Sequence, residues 1–172
     1  GTLAVEHRRE ILPSTPAPGL VEIDAALLAD IALALARAVI DEVGPVRGVG
    51  VTNQRGSTVV WDAATGEPVG PGLGWQNLRT VGDCLVLREE GLRLAPNQSA
   101  TKIGWILANA AAGLDPAELC FGTVDTWVAW VLSGGAVHVT DHTNAAVTGL
   151  YSIAETGWHT AVCELLGVPT EM

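Results

Sequence analysis

The chain has 172 residues, 48% of them hydrophobic, with a mean hydropathy of +0.33, enough apolar surface for one well-buried domain. A net charge of −10 and a pI near 4.6 argue against general nucleic-acid or anionic-membrane binding, while leaving room for a local phosphate site. Asp30, Arg37 and Asp41 interrupt the most apolar segment, so no stretch reaches transmembrane length.

The chain starts Gly1-Thr2-Leu3 without Met and without a signal-peptide pattern, and reads as a piece of a longer protein. Leu3 to Ile11 alternates imperfectly and is expected to form an edge or solvent-facing strand, given Glu6, His7, Arg8, Arg9 and Glu10. Pro13, Pro16, Pro18 and Gly19 form a rigid loop. Asp24 is placed to cap a helix with the apolar stripe Leu28, Ile31, Leu35 and Val39, and Gly44-Pro45 stops it.

The apolar run with Val46, Val49 and Val51 then predicts a buried strand, ending abruptly in Thr52-Asn53-Gln54-Arg55. A second β-rich run, Ser57 to Trp61, follows, and Asp62 to Gly66 turns the chain back. Polar groups at the end of a buried strand are where open α/β sheets usually place ligands. Arg55 is the only charge there, and Asn53 and Gln54 both donate and accept, a set suited to fixing hydroxyls. The plainer alternative is a solvated strand end with a surface arginine.

Further on, a short helix is expected from Arg79 or Thr80 to Gly91. A second begins at Ser99, with Ile103, Ile106 and Leu107 turned inward. A strand is expected over 119–124, then a helix capped by Asp125 and carrying Trp127, Trp130 and Val131, which Ser133-Gly134-Gly135 ends. A short strand over 136–140 and a last helix near 161–166, closed by Gly167 and Pro169, complete the pattern. Strands alternating with helices argue for an α/β fold. Cys84, Cys120 and Cys163 are odd in number, far apart and without a C-x-x-C pair, which favours buried thiols in a reducing cytoplasm.

Taken in order, Thr52-Asn-Gln-Arg55, Ser57-Thr-Val-Val-Trp-Asp62, Thr65-Gly-Glu-Pro-Val69, Gly74-Trp-Gln-Asn-Leu-Arg-Thr80, Ser99-Ala-Thr-Lys102, Phe121-Gly-Thr-Val-Asp-Thr-Trp127 and Val139-Thr-Asp-His-Thr-Asn144 resemble the FGGY carbohydrate kinases, glycerol kinases above all. The likeness covers nearly the whole chain. It implies part of a ribonuclease H-like (actin-like ATPase) domain, with a mixed sheet flanked by helices, and the sugar-binding part of the amino-terminal kinase domain over residues 1–172. It further implies a cytoplasmic enzyme that uses Mg·ATP to phosphorylate a small polyol or sugar, and it is compatible with a homo-oligomer of the full-length protein.

By this resemblance Arg55 falls on the arginine that hydrogen-bonds polyol hydroxyls, with Gln54 and Gly56 beside it, and Trp75 on the tryptophan that walls the pocket. Both roles make physical sense: a guanidinium offers fixed, fork-shaped donors, and an indole packs on the C–H face of a sugar. A core aromatic is the plainer account of Trp75. Two positions depart from the glycerol kinase pattern. Gly56 stands where that family has Glu, and Asn97 falls where it has a substrate-touching Tyr. A missing side chain at Gly56 removes an acceptor and is expected to open space for an acceptor larger than glycerol.

The chemistry side is empty. No Gly-rich phosphate loop with a lysine is present, and Gly48-x-Gly50 lacks the third glycine of a dinucleotide fingerprint. In the resembled kinases the phosphate hairpin would lie before Gly1 and the catalytic Asp after Met172. No catalytic residue, and no bound Mg·ATP, is therefore expected of these residues alone. His138, Asp141 and His142 form an H-x-x-D-H set, but on a strand Asp141 would point away from the histidines, so a loop held by Asp141 and Asn144 is expected and not a metal site. Ala110 to Pro116 offers no counterpart of the basic stretch that supports effector binding in some glycerol kinases. A kinase represented by its sugar side competes with a sugar-binding module that has lost its chemistry. An actin-like scaffold is disfavoured, having no need of Asn53-Gln54-Arg55.

Overall fold

A computed structural model describes all of residues 1–172. Strand β1 (Glu22–Ile23) leads into helix α1 (Ala25–Val43). Asp24 caps that helix as its residue type predicts, its carboxylate accepting from the Leu27 N–H at 2.9 Å. Gly44 ends it at φ +81°, donating to the Ile40 carbonyl at 2.8 Å. Strands β2 (Thr58–Asp62) and β3 (Gly72–Leu73) follow, then helices α2 (Val81–Glu89) and α3 (Ala100–Ala108). A 3-10 turn over Pro116–Glu118 leads into β4 (Leu119–Thr123) and α4 (Val124–Leu132). The chain closes with α5 (His142–Val147), the small ladder of β5 (Tyr151–Ser152) and β6 (Gly157–Trp158), and α6 (Thr160–Leu165).

The main sheet has the order β1-β3-β2-β4, and β2 against β4 is its longest ladder, with Thr58 opposite Thr123 and Asp62 opposite Leu119. Alternation along β2 splits the core in two. Val59 and Trp61 face Ala25, Cys120 and Trp127, with Leu28, Ala29, Trp130 and Val131 packed around them from α1 and α4. Val60 faces the other way, onto Leu73, Ile103, Ile106, Leu119 and Leu150, with α3 and the carboxy-terminal residues. The sheet is thus covered on both faces, and each fully buried aliphatic side chain there contributes about 1.5–3 kcal/mol.

Tight polar turns hold the edges. The Asp62 carboxylate accepts from the Ala64 and Thr65 N–H groups at 2.9 and 2.7 Å, and these bonds hold it below the usual carboxylate range. Burial pushes the thiols of Cys120 and Cys163 up, and all three cysteines are buried and unbonded to one another.

Several expected strands are absent. The run with Val46, Val49 and Val51 joins no ladder, and its valines are exposed, Val49 at 67%. An apolar run becomes a buried strand only where neighbours take its N–H and C=O groups, and no backbone hydrogen bond joins this run to another segment. Leu3 to Ile11 and Ala136 to Thr140 likewise join no ladder; side-chain bonds tie the latter to its neighbours, from the Val137 N–H to Ser133 Oγ at 3.0 Å, from His138 to the Phe121 carbonyl at 2.8 Å and from Thr140 Oγ1 to Asp125 of α4 at 2.8 Å. Without these runs, every ladder of the sheet is antiparallel where a mixed sheet is expected. Asp125 also does not cap α4; Thr123 holds the cap position and Asp125 sits in the first turn. No helix is long and apolar enough to cross a membrane.

Candidate acceptor site

Three of the five expected site residues, from three separate segments, converge at the amino-terminal end of β2. Gly56 is buried at φ +78°, and a Cβ placed on it would lie 2.4 Å from the Asn97 carbonyl oxygen and 3.6 Å from Trp75 Cβ. The Trp75 N–H donates to Ser57 Oγ at 3.1 Å, which pins the loop after β3 against this turn. Trp75 is 43% exposed, which sets aside the core-aromatic account. Gln54 and Arg55 precede the turn, exposed, and neither side chain makes a hydrogen bond or ion pair within the chain.

The expectation that Gly56 opens space is corrected here. The volume a side chain would take is filled by the Asn97 backbone, and the left-handed φ is one that glycine alone adopts without strain. What Asn97 brings to Gly56 is its carbonyl; its side chain is exposed and makes no hydrogen bond within the chain.

Two polar side chains that sequence reasoning named but did not assign to the site hold this arrangement. Lys102 on α3 is fully buried, and its ammonium donates to the Gly56 carbonyl at 3.0 Å and the Asn97 carbonyl at 3.3 Å. Burial pushes its pKa down to about 8, with Cys84 acting in the opposite sense. A signal was present: Lys102 lies four residues before Ile106 on the apolar stripe of α3, which turns it inward. Asp125, 8% exposed, accepts from Asn53 Nδ2 at 2.8 Å, from Thr140 Oγ1 at 2.8 Å and from Thr123 Oγ1. No local spacing links Asn53 to Asp125.

Arg79, the other arginine of the shared motifs, is used up internally. It pairs with Glu22 at 2.5 Å, donates through Nε to Asn77 Oδ1 at 3.0 Å, and lies over the Trp105 ring at 4.3 Å. Arg55 is left as the motif arginine able to meet a ligand. The histidines of the H-x-x-D-H set are separated in role. His138 bonds the Phe121 carbonyl at 2.8 Å and packs edge-on to Trp61, while His142 bonds the Tyr151 hydroxyl at 2.7 Å. Asp141 caps α5, a helix where a loop is expected, and the bonds from Thr143 and Asn144 hold its carboxyl well below the usual range. No group of three His, Cys, Asp or Glu side chains is arranged to hold a metal ion. A cavity of about 180 Å³ lies beyond Thr123 and Thr140, lined also by Phe121, His138, Cys163 and Met172.

A family model described as the N-terminal domain of the FGGY family of carbohydrate kinases matches residues 1–172. The chain is 40% identical over 189 residues to a glycerol kinase of Bacillus velezensis and 41% identical over 187 residues to one of Roseobacter denitrificans. These alignments cover 100% and 99% of the chain but 38% of each relative, so the chain spans well under half of their length. Among solved structures, Plasmodium falciparum glycerol kinase with ADP superposes with a TM-score of 0.78 at 23% identity, covering 95% of this chain and 35% of that one. A xylulose kinase from Rhodospirillum rubrum gives 0.76 at 20%, covering 95% and 36%. A gluconate kinase from Lactobacillus acidophilus gives 0.78 at 16%, covering 92% and 34%. These structures share the fold of the sheet and its flanking helices, that of the actin-like ATPases. With a family model matched from end to end, this chain belongs to the FGGY family of carbohydrate kinases, within its N-terminal domain.

Proposed function

We propose that this chain supplies the acceptor side of a kinase that transfers the γ-phosphoryl group of Mg·ATP to a hydroxyl of a small polyol or sugar. The observation that carries the reading is the convergence of Trp75 and Asn97 on Gly56 beside an arginine with no internal partner. The guanidinium of Arg55 and the amide of Gln54 would bind and orient hydroxyls, and the exposed indole of Trp75 would cover the apolar face of the carbon chain. The residues here do not fit Mg·ATP. They hold no metal-binding group of three and no Gly-rich phosphate loop with a lysine. Phosphate binding and the base that accepts the hydroxyl proton therefore belong to the rest of a longer enzyme, and residues 1–172 alone are inactive. Such enzymes gain most of their rate from positioning and charge neutralisation, and the part assigned to this chain is acceptor positioning.

That misfit with Mg·ATP also supports a second reading, a sugar-binding module without chemistry. One experiment separates them. The full-length protein is assayed for acceptor-dependent ADP release from Mg·ATP with glycerol, xylulose and gluconate. Release that falls on Arg55→Ala supports the kinase. Binding of an acceptor without ADP release establishes the module, and phosphoryl transfer by residues 1–172 alone would overturn the division of labour.

A further inference from the structure

Of four consecutive residues, Asn53 to Gly56, the outer two are anchored and the inner two are free. The outer two are pinned from far along the chain: Asn53 by the carboxylate of Asp125, Gly56 by the ammonium of Lys102. The inner two, Gln54 and Arg55, are exposed and have no partner within the chain. Residues 51–55 lie in no ladder, so backbone pairing does not set where Arg55 points. We infer that the Asp125–Asn53 and Lys102–Gly56 contacts are a pair of anchors that aim Gln54 and Arg55 at the acceptor, which makes Asp125 and Lys102 positioning residues for acceptor binding.

The chemistry of both anchors supports this. Neither buried charge has an ion-pair partner. Lys102 meets only carbonyl oxygens, and Asp125 only an amide and two hydroxyls. A buried charge without a counter-charge is unfavourable compared with an apolar side chain of the same size. An apolar residue would fill the space at Lys102, but it could not join the Gly56 turn to the Asn97 loop through one atom. Charge-assisted bonds are short and directional, so they fix position better than packing does. Asp125 sits in the first turn of α4, where the helix dipole favours a carboxylate, and Thr123 and Thr140 hold its orientation. One anchor thus ties the segment before β2 to α4 and the other ties it to α3.

The inference rests on Arg55 being an acceptor contact, so Arg55→Ala is measured alongside. The full-length protein is assayed with Mg·ATP and whichever of glycerol, xylulose and gluconate has the highest kcat/KM. Asn53→Asp places two carboxylates together, and the exchange Asn53→Asp with Asp125→Asn rebuilds the pair in the opposite sense. Asn53→Asp and Lys102→Met are each expected to raise the acceptor KM about tenfold or more while the KM for ATP stays within about twofold, and the exchange to recover most of that loss. The anchors are overturned if Arg55→Ala raises the acceptor KM and neither Asn53→Asp nor Lys102→Met does. They are also overturned if both KM values rise together with a lowered Tm and the exchange recovers nothing, the pattern of residues that only support folding. An acceptor KM unmoved by Arg55→Ala removes the acceptor-site reading itself, and the inference with it.

Discussion

A Cβ on Gly56 would stand 2.4 Å from the carbonyl oxygen of Asn97, the same oxygen that accepts from Lys102. The two loops therefore touch backbone to backbone, and the contact tolerates no side chain on one of them. With φ at +78°, Gly56→Ala meets both strain and overlap, and is expected to cost about 2–4 kcal/mol in chemical denaturation. Gly56→Glu, which introduces the residue that the glycerol kinase resemblance implies at this position, is expected to disorder the turn and not to improve glycerol turnover. Wild-type stability in Gly56→Ala would show that the loops do not approach this closely.

Acceptor size now rests on lost groups and not on a gap. The resemblance to glycerol kinases implies a carboxylate where Gly56 stands and a phenol where Asn97 stands, and the charged hydrogen bond of such a carboxylate is worth about 1.5–3 kcal/mol. The full-length enzyme is expected to show a higher kcat/KM for xylulose than for glycerol. A higher value for glycerol would show that other groups, or ordered water, replace the missing acceptors.

Arg55 and Arg79 should separate binding from folding. Arg55→Ala is expected to leave Tm in place and weaken acceptor affinity by about 1.5–3 kcal/mol, roughly one to two decades. Arg79→Ala strands Glu22 at the sheet edge and uncovers Trp105, so a stability loss of about 2–3 kcal/mol is expected after allowing for the partly exposed carboxylate. Calorimetry with the acceptor and thermal unfolding, run on both variants, test the assignment. Reversed effects would exchange the two roles.

Lys102 gives stability a distinct pH dependence. Its ammonium loses its proton near pH 8 when folded, against an ordinary lysine value of 10.5. Between these values the unfolded chain binds more protons, so stability rises with pH; the full cost of burying the charge is present below about 8 and is relieved towards 10.5. From pH 7 to 9.5, wild type is expected to gain about 2 kcal/mol relative to Lys102→Met. Denaturant midpoints of both proteins at the two pH values give the measurement. A constant difference would place the Lys102 pKa at its ordinary value.

Local chemistry was legible wherever a residue type acts on its own neighbours. Asp24 as a cap, Gly44 as a stop, the Asp62–Gly66 turn and the 58–62 strand all follow from interactions within a few residues. The ordered motifs likewise pointed to the family. Pairing was not legible. Val46 to Val51 has the composition of a buried strand, yet burial needs a neighbour on each side, and that is decided by which segments lie next to it. Tertiary structure alone decided that Gly56 is a point of contact and not a gap, because the Asn97 carbonyl arrives from a loop some forty positions away. It also decided that Asn53 meets Asp125 and that Lys102 spends its charge on two carbonyls. A sequence shows which groups can bond; only the folded chain brings the distant partner within hydrogen-bonding distance.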